Sequence, residues 1–64
     1  MEEIDIWRSA NHMVRQYGVN AGYEAGRKAG DLLKAGDKEG FEVWRSIARA
    51  IEEMIATTGS RQLT

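Results

Sequence analysis

The side chains that could perform acid–base or nucleophilic chemistry are few. His12 is the only histidine of the chain. A catalytic histidine needs an orienting partner and a pocket, and a metal site needs several more ligands at defined spacing; the sequence shows neither around His12. Ser9 and Ser46 lie outside the Gly-x-Ser-x-Gly and Ser-x-x-Lys patterns that activate a serine. We therefore predict no catalytic residue, no metal site, no cofactor and no enzymatic activity.

The pairs Ala21-Gly22, Ala25-Gly26 and Ala29-Gly30 repeat at a spacing of four residues. Four residues are close to one helical turn, so the pairs form a strip of very small side chains on one helix face. A repeated Gly-x-x-x-Gly is a membrane dimerisation motif only within an apolar segment of about 20 residues, and charged residues interleave here. No Gly-Lys-Ser/Thr follows, as it would in a phosphate-binding loop. The strip predicts close helix packing and no membrane contact.

Arg45 and Arg49 stand one helical turn apart and suggest a second kind of site. In a helix–turn–helix protein they would lie on the recognition helix. Glu42, Glu52 and Glu53 share their polar face and would repel phosphates. We therefore expect no nucleic-acid partner, and keep a small helical DNA-binding regulator that uses Arg45 and Arg49 as the alternative function.

The size and composition of the chain limit the fold. It has 64 residues, 42% hydrophobic and 30% charged, with a net charge of −1 and no cysteine. These values are typical of a small soluble globular protein, and we expect a cytoplasmic location. We expect residues 1–64 to form a single small helical domain, close to the lower size limit for independent folding. Self-association or a protein partner is the support that remains for such a chain.

Hydrophobic periodicity and glycine punctuation predict an all-α, compact three-helix unit completed by homo-oligomerisation. Gly18 and Gly36 are expected to end the first two helices, and Gly59 the third. Asn20 and Asp37 are expected to be the N-caps of the second and third helices. The predicted helices span residues 4–17, 21–35 and 38–57, and a frayed tail is predicted over residues 60–64.

Two similar tetrapeptides, Ile6-Trp7-Arg8-Ser9 and Val43-Trp44-Arg45-Ser46, lie in the outer helices. In each, the tryptophan falls on the apolar side of its helix and the arginine on the polar side. Large aromatic groups need large gaps beside them, and the strip of small residues supplies such gaps. We therefore predict that Trp7 and Trp44 are the largest buried groups and lie against the second helix.

Two candidate interaction surfaces follow from these patterns. The apolar stripe of the third helix is unusually wide, because Val43, Ala50 and Met54 extend it; Met13 of the first helix joins this flank. This flank could pack inside the molecule or form an interface with another chain, and the sequence leaves both alternatives open. On the second helix the alanines lie nearer the centre of the apolar face than the glycines do. A second chain is therefore expected at the glycine edge, through Gly26 and Gly30.

Small residues, tryptophans and apolar residues recur along most of the chain in one layout, formed by Trp7, Ala10, Gly18, Ala21, Ala25, Ala29, Leu33, Gly36, Asp37, Gly40, Trp44, Ile47, Ala50 and Ile51. This layout resembles a family of short uncharacterised proteins from alphaproteobacteria, a domain of unknown function. The chain departs from that pattern where charged or long residues would follow each alanine, since it has Gly22, Gly26 and Gly30 there. The resemblance implies a compact helical bacterial protein and brings no activity or functional residue with it.

These observations predict a non-enzymatic protein–protein interaction module. It would act as a homo-oligomeric adaptor or as a small inhibitor that occludes a surface. Its partner would be another protein or a second copy of itself, and no small-molecule substrate is evident.

Overall fold

The computed structural model describes the backbone of residues 3–63 and the side chains of residues 4–56. Helix α1 spans Glu3–Tyr17, α2 spans Ala21–Lys34 and α3 spans Lys38–Leu63, and a short 3-10 turn, Gly18–Asn20, lies between α1 and α2. The described residues form no strand. The prediction of an all-α fold is therefore confirmed.

The connection between α1 and α2 differs from the expected loop. The 3-10 turn follows α1 directly and α2 follows the turn directly, so the described chain has two uninterrupted helical segments, residues 3–34 and 38–63, rather than three separate ones. Gly18 redirects the chain with a φ of +60°, a left-handed conformation that glycine adopts without steric cost. The prediction that Asn20 caps α2 is wrong, because its side chain makes no capping hydrogen bond. The 3-10 turn replaces the cap, and the Ala21 amide donates to the Gly18 carbonyl.

The connection between α2 and α3 is the one predicted. Gly36 has a φ of +82°; its amide donates to the Leu33 carbonyl at 3.0 Å, while the Asp37 amide donates to the Leu32 carbonyl at 2.9 Å. These two bonds define a Schellman ending, which satisfies carbonyls at the end of α2. The N-cap role of Asp37 is confirmed, because the Gly40 amide donates to its Oδ1 at 2.9 Å. So short a turn makes α2 and α3 antiparallel neighbours.

The core lies mainly between the alanine face of α2 and the apolar face of α3. Ala21 and Ala25 are fully buried and Ala29 is 5% exposed. Ile47 and Ile51 of α3 are the largest fully buried side chains, and burying each contributes roughly 1.5–3 kcal/mol. The alanines therefore carry the intramolecular contact of α2. The remaining buried residues are Ala10 and Ala50.

The predicted burial of the two tryptophans is wrong. Trp7 is 38% exposed, and Trp44 is half-buried and packs on the rim of the core. The physical reason is the smallness of the alanine face: it brings the α2 and α3 backbones close together, which leaves room for isoleucine but not for an indole ring. Trp7 lies instead at a groove between α1 and α3.

Helix α3 is longer than predicted, since it continues through Gly59 to Leu63. The prediction that Gly59 ends it is wrong: a glycine inside a helix costs only about 1 kcal/mol, which does not by itself end a long helix. The side chains of residues 60–63 and the whole of Thr64 lie outside the described residues, so the frayed tail stays a prediction.

Overpacking tests the close contact of α2 with α3. Ala25→Leu should lower the free energy of unfolding by about 1–3 kcal/mol, because the buried site has no room for three more carbon atoms. Arg27→Leu is the matched control, since it puts the same side chain at an exposed position of the same helix. Chemical denaturation measures both. Equal stability of the two variants would show that the alanine face is loosely packed.

Candidate interaction surfaces

The side chains singled out for chemistry are not brought together by the fold. His12 and Ser46 are exposed, and Ser9 is half-buried on α1. Among the side chains of residues 4–56, no group of three or more histidine, cysteine, aspartate or glutamate residues is placed to hold a metal ion. In the same part of the chain no helix has the length and apolar character needed to cross a membrane.

Arg45 and Arg49 are both exposed on α3. Together with Glu42 and Ser46 they line a shallow depression of about 290 Å³. The Glu42 carboxylate lies in the same depression as the two guanidinium groups and opposes the binding of a phosphate. The geometry of this surface is thus a mixed-charge helix face rather than a basic stripe.

The widened flank of α3 is used inside the molecule. Ala50 is 5% exposed and belongs to the core. Val43, Met54 and Met13 are half-buried and pack against that core. Helix α1 explains this placement, because Ile6 borders grooves that Val43 and Ala50 also line. Ala50 thus packs inside the molecule, while an interface through the exposed parts of Val43, Met54 and Met13 stays a prediction.

The glycine edge of α2 lies outside the core. Gly26 is exposed and Gly30 is half-buried, and a Cβ atom added at either position would have no neighbouring heavy atom within 4 Å. At Gly22 an added Cβ would lie 3.9 Å from Cγ2 of Ile51, an ordinary van der Waals contact. No close approach within the chain therefore requires a glycine at any of the three positions.

Two large side chains stand on the same flank of α2 as these glycines. Tyr23 is 70% exposed and Leu33 is 50% exposed. We call the surface formed by Tyr23, Gly26, Gly30 and Leu33 the glycine seam. At 3.6 residues per turn its four members lie within an arc of about 80°. The steps between them are three, four and three residues, the spacing of the contact positions in a coiled coil.

The composition of the glycine seam separates it from the rest of α2. None of its four members is charged, and Val19, one turn before Tyr23, extends it with a side chain that is 83% exposed. All charged residues of the helix lie off the seam: Glu24, Arg27, Lys28, Asp31 and Lys34. The seam is thus an exposed, uncharged strip on a helix that is otherwise polar outside the core.

The sequence predicted only part of this surface. Its edge through Gly26 and Gly30 is predicted from the sequence, whereas helical periodicity assigns Leu33 to the same half of α2 as the alanines and Tyr23 to the boundary of that half. Leu32 and Leu33 are adjacent, and the periodicity does not decide which of the two enters the core. The structure leaves Leu32 half-buried and Leu33 exposed. The seven-residue spacing of Gly26 and Leu33, which places both on one helix face, is the sequence feature that indicates an exposed Leu33.

A second depression, of about 350 Å³, lies where the three helices meet. Met13, Tyr17 and Trp44 form its apolar side. The acidic Glu24 and Asp31 and the basic Arg27 and Lys28 form the polar side. Because these charges are equal in number and opposite in sign, the depression has no net charge that would select an ionic ligand.

Comparison with known proteins gives no significant match to a family model, a curated protein or a solved structure. No match bears on the resemblance to the short alphaproteobacterial proteins, which stays a prediction.

The stability of single alanine variants tests whether the fold itself needs the seam glycines. Gly26→Ala should raise the free energy of unfolding of the isolated chain by about 0.5–1 kcal/mol, since alanine is the better helix former and meets no neighbour. Chemical denaturation at low protein concentration measures this change. A loss of stability would mean that Gly26 has a structural role within one molecule.

Proposed function

We propose that the chain is a non-enzymatic protein–protein interaction module. It works as a homo-oligomeric adaptor or as a small inhibitor that covers the surface of another protein, in the bacterial cytoplasm. The observation that carries the proposal is the glycine seam, an exposed and uncharged strip on α2 that combines large apolar groups with open glycines.

The energetics of the seam support a binding role. Tyr23 and Leu33 leave half or more of their surface in water, so at least half of the free energy that their burial would give is not gained in the single molecule. Each glycine inside α2 lowers the stability of the helix by roughly 0.5–1 kcal/mol relative to alanine. A partner that packs on the seam compensates for both. It covers the side chains of Tyr23 and Leu33, and the glycines let its backbone come close enough to make favourable contacts.

The alternative, a DNA-binding regulator, rests on Arg45 and Arg49. Their exposure favours it, and the Glu42 carboxylate in the same depression disfavours it. Binding to DNA would weaken steeply with added salt as phosphate counterions are released. Salt-sensitive retention on DNA that disappears in Arg45→Gln would favour the regulator over the interaction module.

A charge placed in the seam tests the proposed function. Gly26→Glu should abolish both self-association, measured by light scattering, and the capture of partner proteins, because burying an unpaired carboxylate is costly. Helix content measured by circular dichroism should be unchanged, since the site is exposed and open. Gln16→Glu makes the same change of charge at an exposed site on α1 and should leave binding intact.

Two outcomes of this comparison would count against the interaction module. Gly26→Glu could bind every captured protein and self-associate like the unaltered chain, which would remove the seam as the binding surface. Alternatively, Gln16→Glu could lose binding to the same degree, which would show that the effect comes from net charge.

A further inference from the structure

The turn between α1 and α2 depends on one left-handed residue, Gly18, whose φ is +60°. The residues on either side of the turn already have right-handed backbone. Tyr17 has φ −112° and ψ −10°, and Asn20 has φ −85° and ψ −3°. Rotation of Gly18 into the right-handed region would therefore join α1, the 3-10 turn and α2 into a single helix over residues 3–34.

The side chains around this turn give it little support. Gly18, Val19 and Asn20 are all exposed, and neither Tyr17 nor Asn20 makes a side-chain capping hydrogen bond. The turn between α2 and α3 is different, because two Schellman bonds and the Asp37 cap stabilise it. The connection at Gly18 is therefore the one that can open with the smaller loss of hydrogen bonds.

The buried faces of α1 and α2 are in phase across the turn. In a continuous helix of 3.6 residues per turn, Ala10, Val14, Ala21 and Ala25 would lie within an arc of about 60°. The three alanines are fully buried, and Val14 packs against the same core. A straightened helix would thus present one apolar face along its length, with α2 on its own α3 and the face of α1 uncovered.

We propose that this chain forms a dimer by exchanging α1, with Gly18 as the hinge. In the exchanged dimer residues 3–34 form one helix of about 48 Å. The α1 of each copy packs on α2 and α3 of the other copy, in the place that α1 occupies in the single molecule. A second copy is the partner that fits, because the exchange recreates every core contact of α1.

The inference goes beyond the proposed function and does not involve the glycine seam. Exchange requires α1 to leave its own core, so it takes place when chains refold together at high concentration. Association through the seam, by contrast, takes place between folded chains. The two kinds of self-association can therefore be measured separately.

Glycine at position 18 balances the two forms, because glycine adopts left-handed and right-handed backbone about equally well. Alanine would favour the straight form, since a left-handed backbone brings its Cβ too close to the following carbonyl oxygen. A Cβ added at Gly18 would meet no neighbouring heavy atom within 4 Å. The backbone conformation is therefore the property that Gly18→Ala changes.

Gly18→Ala tests the hinge. The unaltered chain and the variant are unfolded, refolded over a range of concentrations and analysed by size-exclusion chromatography with light scattering. The alanine should lower the dissociation constant of the dimer by about fivefold to thirtyfold for each of the two hinges. Gly36→Ala is the matched control, because Gly36 also has a positive φ, of +82°, and open space around it. Its turn is held by hydrogen bonds, so this control should lose stability and stay monomeric.

Crosslinking identifies the elements that are exchanged. Trp7 and Ser46 line one groove between α1 and α3, and the chain has no cysteine of its own. Trp7→Cys and Ser46→Cys, refolded together at high concentration and treated with a short bismaleimide, should give a covalent heterodimer. The same variants refolded separately and then mixed are the control and should give much less. Adding Gly26→Glu to both variants should leave the yield unchanged, because the seam takes no part in the exchange.

Three results would overturn the inference. A Gly18→Ala variant that is monomeric at every concentration would show that the turn does not open. An equal amount of dimer from Gly36→Ala would show a general response to backbone strain; this comparison needs no cysteine variant. A dimer that crosslinks only at the level of the separately refolded control would show that the two copies meet through another surface.

Discussion

The close packing of Ala21 and Ala25 against Ile47 and Ile51 is the contact on which this fold depends. Ala21, Ala25 and Ala29 present almost no side-chain volume, so α2 lies close to α3 and buries Ile47 and Ile51 completely. The short Gly36-Asp37 turn enforces the antiparallel arrangement that this contact needs. With the centre filled by small groups, both indole rings are displaced to the edges of the core. Helix α1 packs beside the widened flank of α3 and leaves Val43 and Met54 half-buried.

The same contact determines which surface of α2 is left over. Because the alanines are centred on α3, the glycines one position later point away from the core, and only Gly22 comes near α3. A helix with a single buried face gains stability from alanine at its outer positions, yet this one has glycine there. No contact within the molecule explains the glycines at positions 26 and 30, because a Cβ atom at either would meet no neighbouring heavy atom within 4 Å.

Features governed by local chemistry could be predicted from the sequence. Helical periodicity gave the helices, and glycine with a following aspartate gave the turn at Gly36 and Asp37. Features that depend on the distance between helices could not be predicted in this way. Whether Trp7 is buried, and whether Leu32 or Leu33 enters the core, depends on how close α2 lies to α3. For the candidate site, the edge at Gly26 and Gly30 was predictable. The exposure of Tyr23 and Leu33 could not be predicted, because it depends on how much of the α2 surface the contact with α3 covers.

Nuclear Overhauser spectroscopy on methyl groups tests the central claim most directly. The account predicts strong signals from the Ala21 and Ala25 methyl groups to the methyl groups of Ile47 and Ile51, because these four side chains belong to one buried cluster. Signals from Ala25 to the indole ring of Trp7 in their place would contradict the claim, because an indole ring and not isoleucine would then fill the contact between α2 and α3.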